Sequence, residues 1–164
     1  MPSSNIFPQV KKLRNGVLIP FNVKEKSITD EEGSISTQYD YEELLLHQKV
    51  FPTLTQLKEC VIHELNRQND EFIYSHYTGG TQATIQGYAQ KAARRGRTDI
   101  QDECEAILDW IESVLAYYDV KKGALAEATD EQSLISITWD FKTNTSISPS
   151  GLKGWREIRD MFNS

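Results

Sequence analysis

Apolar and polar positions alternate between residues 17 and 41, whereas between 54 and 118 the apolar positions recur at helical spacing. Val17, Ile19, Phe21 and Val23 are separated by Leu18, Pro20 and Asn22, and Ile35, Thr37, Tyr39 and Tyr41 alternate with Ser36, Gln38 and Asp40. A period of two is that of a half-buried strand. The pattern predicts strands over roughly 17–26 and 34–46, reversed by the turn Asp30-Glu31-Glu32-Gly33. Pro20 has no N–H to give to a ladder, so the first strand is expected to be an edge at that point. The polar stretch 1–16, punctuated by Pro2, Pro8 and Asn15-Gly16, reads as a lead that is disordered alone or laid on a partner.

Pro52 separates the two regimes. After it Leu54, Leu57, Val61, Leu65, Phe72 and Ile73 trace one face of a first helix, which the glycines of Tyr77-Thr78-Gly79-Gly80 are expected to end. A second helix over roughly 81–95 turns Ile85, Tyr88, Ala89 and Ala92 inward and stops at Gly96. The third opens on Thr98-Asp99-Ile100-Gln101, which fits a capping box, and carries Ile100, Cys104, Ile107, Leu108, Ile111, Leu115 and Tyr118 in one stripe. Ile107, Ile111 and Leu115 are its expected buried centre.

Residues 129–141 satisfy two periods at once. Ile135, Ile137, Trp139 and Phe141 alternate like a strand, while Leu134, Ile137, Thr138 and Phe141 keep helical spacing. Thr129-Asp130-Glu131-Gln132, read as a second capping box, favours the helix. A polar linker then leads to an amphipathic segment with Leu152, Trp155, Ile158 and Phe162. The expected architecture is α+β: a lead and hairpin over 1–50, a mainly α-helical body over 51–149 and the terminal segment over 150–164.

Composition narrows the function classes. The 164 residues carry a formal net charge of −6, which argues against an extended nucleic-acid footprint, since phosphate binding needs clustered Lys and Arg. The one basic cluster, Lys91, Arg94, Arg95 and Arg97, is short, is flanked by Asp99, Asp102, Glu103 and Glu105, and lies at a helix end, where cations complement the macrodipole. No apolar run reaches the roughly 18 residues of a membrane span. No signal peptide is read in the opening residues, so Cys60 and Cys104 are expected to be free, buried thiols in a reducing compartment.

Candidate chemistry is sparse. Cys60 and His63 are three apart on one helical face, yet a structural zinc takes four ligands and no second close pair exists, so no metal is expected. No serine sits in a nucleophile elbow, no glycine run matches a phosphate cradle, and the acidic pairs fall at helix starts. The reading is of a protein without catalytic residues or cofactor. The positive signal is aromatic: Tyr39, Tyr41, Trp139, Phe141 and Trp155 lie outside the main helical stripes, and aromatics are enriched at interfaces. Phe21, Tyr39, Tyr41 and Trp155 are the expected protein-binding residues.

The run Leu57-Lys58 through Ile62, Glu64, Asn66, Arg67 and Phe72-Ile73, followed by a Tyr and glycines, resembles the helical segment of small tail-associated proteins of bacteriophages and prophages. Trp110-Ile111 through Tyr117-Tyr118, then Ala128-Thr129 and Asp140-Phe141 with a later Pro, resembles the rest of that module, and the hairpin with its acidic turn is similar to the hairpins that introduce it. The likeness covers about residues 17–149 and leaves out Gly151 to Ser164. It implies a non-enzymatic component of the tail, at the baseplate or fibres, or an accessory protein of fibre assembly that is not retained in the virion. The implied location is the virion tail, after synthesis in the host cytoplasm. Implied partners are other tail or fibre chains or further copies of this one, with no nucleic acid and no membrane. A cytoplasmic small-molecule or regulatory binding protein is the alternative reading.

Overall fold

A computed structural model describes residues 1–48 and 50–164. Among these, the chain forms a four-stranded antiparallel sheet from its N-terminal region, followed by a mainly helical body. The α+β expectation holds. The strands are β1 (Ser3–Ser4), β2 (Lys11–Leu13), β3 (Gly16–Thr29) and β4 (Ile35–Leu46), in the order β1-β4-β3-β2. The expected hairpin is β3–β4, paired from Val17↔Leu46 to Thr29↔Ile35. Its turn is built as the sequence suggests: Asp30 Oδ1 accepts the N–H groups of Glu32 at 3.0 Å and Ser34 at 2.8 Å, and Gly33 takes a φ of 82° that favours glycine.

The lead differs from its expectation. Residues 1–13 belong to the fold: β1 pairs with the outer side of β4 at Asp40 and Tyr39, and β2 pairs with β3 at Gly16–Leu18. Phe7 packs edge-on against Tyr39 at 5.4 Å between centroids, Pro8 is buried, and the Val10 N–H donates to Glu131 Oε1 at 3.0 Å. These contacts offset the ordering entropy that a polar lead cannot meet alone. Gly16 is required, because a Cβ there would stand 2.2 Å from the Leu46 carbonyl oxygen. As β2 stops opposite Leu18, β3 is paired only with β4 at Pro20, so on its other side no strand awaits the N–H that proline lacks.

Among the described residues five α-helices follow, α1 (Leu54–His76), α2 (Gly79–Arg95), α3 (Thr98–Glu127), α4 (Glu131–Ile135) and α5 (Trp155–Met161), with a short 3-10 turn at Thr145–Ile147 before the last. Gly79 and Gly80 open α2 and do not close α1; Thr78 is the N-cap, its hydroxyl accepting from the Thr81 N–H at 3.3 Å. A capping box absent from the sequence reading starts α1, where Thr53 and Gln56 exchange backbone-to-side-chain bonds of 2.9 and 3.3 Å. Gly96, with φ 65°, ends α2 as expected. α3 runs nine residues past Tyr118, because Leu125 is fully buried on the continuing stripe. Its Thr98 is already helical, so the expected box does not form there, and Gln101 donates forward to Glu105. The ambiguous segment is helical only over α4, capped by Asp130 and Ser133, not by Thr129; thereafter it is irregular.

Two compact units divide the chain, each from separated stretches: residues 1–65 with 120–139, and 66–119 with 140–164. In the first, the buried residues are Val17, Ile19, Phe21 and Val23 of the sheet, Leu57, Val61 and Leu65 of α1, and Leu125, Leu134, Ile135 and Trp139. In the second, Phe72, Trp110 and Phe141 form a ring cluster with centroids 5.8 and 5.9 Å from Phe72. The Trp110 indole N–H donates to the Ile147 carbonyl at 2.8 Å and the Tyr77 hydroxyl to the Lys153 carbonyl at 3.1 Å, which fastens the terminal segment to this unit. The stripe of α3 is rotated from its expected centre: Ile107 and Val114 are fully buried, Ile111 is half-buried and Leu115 is 41% exposed. Trp110 explains the shift, since its indole turns inward to reach Ile147.

Candidate functional site

The hairpin carries the most distinctive local geometry. Between Phe21↔Glu42 and Lys24↔Asp40 the register slips, so that Asn22 and Val23 together stand against Tyr41. This is a β-bulge, and Asn22 is the described non-glycine residue with positive φ, at 52°. Its side chain is buried and used at both ends: Nδ2 donates to Glu42 Oε1 at 2.7 Å, and Oδ1 accepts the Trp139 N–H at 2.9 Å. Phe21 stacks on Trp139 beside it, centroids 5.6 Å apart and planes 19° apart. The bulge therefore joins the hairpin to the segment that ends the first unit.

That join redistributes the expected binding residues. Phe21, 2% exposed, and Tyr41 are core residues, the latter packed with Val23 and Ile135, so neither forms a surface. Trp139 and Phe141, also expected at an incompletely covered surface, are buried. Tyr39 is half-buried under Phe7. Trp155 is half-buried at the start of α5, with the guanidinium groups of Arg156 and Arg159 5.5 and 5.4 Å from its ring centroid. Tyr39 and Trp155 lie in different compact units.

Beyond the bulge the hairpin loses cover. The buried positions of β3 end at Val23, and residues 25–37 are exposed along both strands. Ile28 is 37% and Ile35 75% exposed, on either side of a turn that carries Asp30, Glu31 and Glu32. Ile35 enters the sequence pattern only as an alternating strand position, and Ile28 lies outside it. The available signal was the two isoleucines flanking an acidic turn, more than a dozen positions from any neighbouring helix.

A shallow groove of about 330 Å³ lies in the first unit, lined by Leu44, Leu46, Glu59, Cys60 and His63. Burial, and then the neighbouring Glu59, raise the Cys60 thiol above its ordinary value, which disfavours the thiolate. Cys104 is fully buried and pushed up to about 11, by burial first and then by Glu103 and Glu105. Among the described residues no group of three or more His, Cys, Asp or Glu side chains is placed to hold a metal, and no helix is long and apolar enough to cross a membrane. Comparison with protein-family models, with curated proteins and with solved structures finds no match to this chain.

Proposed function

We propose that the chain works by protein–protein binding, as a structural or assembly component of a phage-type tail, and that it performs no chemistry of its own. The observation that carries the binding reading is the uncovered outer hairpin. Two strands that protrude without a partner sheet are marginal in water; Ile28, paired with Ser36, and Ile35, paired with Thr29, face opposite sides of the ribbon, and burying the more exposed Ile35 against another chain offsets part of the ordering cost. The tail setting rests on the resemblance of residues 17–149 to small tail-associated proteins. The docking element is the outer hairpin, with the half-buried Trp155 as a second contact.

The test is a shortened hairpin. Deleting residues 1–46 would remove Val17, Ile19 and Phe21 from the core, so the variant instead replaces residues 28–36 by Asn-Gly, keeping the Ser27↔Thr37 pair. The expected result is a folded protein, judged by circular dichroism, that no longer co-purifies with tail particles. Full retention in particles would overturn the hairpin as docking element, and an intact protein without any protein partner in a particle-bearing lysate would overturn the tail reading. Recovery of the intact protein only in particle-free complexes would assign it to assembly and not to the finished tail.

A further inference from the structure

We infer that the ridge where α2 meets α5 is a docking surface for an acidic protein segment, which gives the proposed protein-binding role a second site and the chemistry of its partner; the inference rests on that role. The sequence places Lys91, Arg94, Arg95 and Arg97 at one helix end, where the dipole accounts for them. The fold adds to them. Lys91 Nζ lies 4.6 Å from the centre of the Phe162 ring, Tyr88 packs on the same ring at 5.3 Å, and an Arg97 guanidinium N–H donates to the Met161 carbonyl at 3.1 Å. The end of α2 and the end of α5 thus meet within the second unit, and the same short helix α5 carries Arg156 and Arg159 over the Trp155 ring at its start.

Segments 88–99 and 155–162 together hold six cations against three carboxylates, in a chain whose net charge is −6. Two of the carboxylates are already engaged, Asp99 by Arg97 at 2.8 Å and Asp160 by Arg159 at 2.8 Å. Lys91, Arg94, Arg95 and Arg156 are exposed and form no ion pair among the described residues. Charge complementarity therefore calls for an anionic partner. The patch favours protein carboxylates over phosphates for two reasons. A nucleic-acid footprint needs Lys and Arg clustered along an extended surface, and four unpaired cations in an acidic chain make a short one. The cations are also interleaved with half-buried Trp155 and Phe162, and an Arg and Trp mixture is the composition of protein–protein hot spots.

The experiment measures fluorescence anisotropy of a labelled nonapeptide of Glu and Asp with one central Leu, titrated with the full chain, beside a labelled twenty-nucleotide oligothymidine. The expected result is saturable peptide binding, weakened about tenfold or more by the double variant Arg95→Glu, Arg156→Glu and by raised salt. Should that variant melt below the intact protein, Arg95→Gln with Arg156→Gln is used, and an intermediate loss is expected. Tighter binding of the oligothymidine, peptide binding unchanged in the variants, or no binding of either probe would overturn the inference. So would self-association abolished by the charge reversal without peptide binding, since the occupant would then be a second copy. An intact protein that fails with the peptide yet still co-purifies with tail chains would sink this inference and leave the broader role standing.

Discussion

The amide oxygen of Asn22 accepts the backbone N–H of Trp139 at 2.9 Å, joining residues 117 positions apart inside one buried site. The same asparagine holds a left-handed backbone conformation, so its identity serves two ends: a short polar side chain that tolerates positive φ, and an acceptor for an N–H that would otherwise be buried alone. Asn22→Ala should cost about 2–4 kcal/mol, from the lost bonds and the left-handed penalty together. Asn22→Gly keeps the backbone unstrained and should cost less. Urea melts of both variants check the order, and equal losses would mean that the backbone conformation contributes nothing.

The rotated stripe of α3 gives a paired prediction. Ile107→Ala removes a fully buried side chain and should cost about 2–5 kcal/mol through lost transfer energy and cavity formation. Leu115→Ala, at a site 41% exposed, should cost less than about 1 kcal/mol. Denaturant melts that reverse this order would return the stripe to the centre that simple periodicity suggests.

Part of the acid sensitivity should trace to the cap of α4, beside the contribution of Asp99, whose carboxyl the hydrogen bond from Arg97 also holds below its ordinary value. Asp130 Oδ1 accepts the Ser133 N–H at 2.7 Å, and the bonds to the Ser133 backbone and then to its hydroxyl hold the Asp130 carboxyl below its ordinary 3.8. A depressed folded value contributes stability that is present above the unfolded value and is lost as pH falls through the folded one. Asp130→Asn should therefore flatten the decline in melting temperature below pH 3.8 relative to the intact protein. Parallel thermal melts from pH 6 downward test it; identical acid slopes would count against the cap.

The two thiols should react at different rates. Cys60 is half-buried beside an open groove, whereas Cys104 is fully buried and its thiol is pushed up to about 11. A disulfide reagent at neutral pH should label one thiol per native chain and the second only on unfolding. Labelling of Cys104 at the rate of Cys60, read by peptide mass mapping, would show that α3 opens far more readily than its burial implies.

Much of the fold was legible because it is local. Alternation at Val17–Val23 and Ile35–Tyr41, the Asp30–Gly33 turn and the Gly96 helix stop each depend on a few neighbouring residues, and each stands where the pattern puts it. What escaped depends on distant partners. Nothing near Lys11 or Ser3 announces a strand, because both are paired by backbone to residues of the hairpin. Phe21 and Tyr41 read as surface aromatics until Trp139 and Ile135 arrive from the far end of the chain to cover them. The α3 stripe shifted for a similar reason, since the hydrogen bond from Trp110 to Ile147 is invisible to periodicity. The exposed outer hairpin was hidden by the opposite error: Ile35 satisfies the strand pattern without being buried, and Ile28 is out of phase with the alternation of Val17–Val23.

The alternation of the two units along the chain bears on how the protein can be made. Residues 120–139 complete the first unit and residues 140–164 the second, so neither core can close before most of the 164 residues have left the ribosome. A nascent chain released one unit at a time, as in proteins whose domains follow one another, is not available here. For most of its synthesis the hairpin would hold Phe21 and Tyr41 open to water, without the segment that covers them. Any cut between residues 66 and 139, by a protease or by a premature stop, breaks both cores at once and should yield no surviving half.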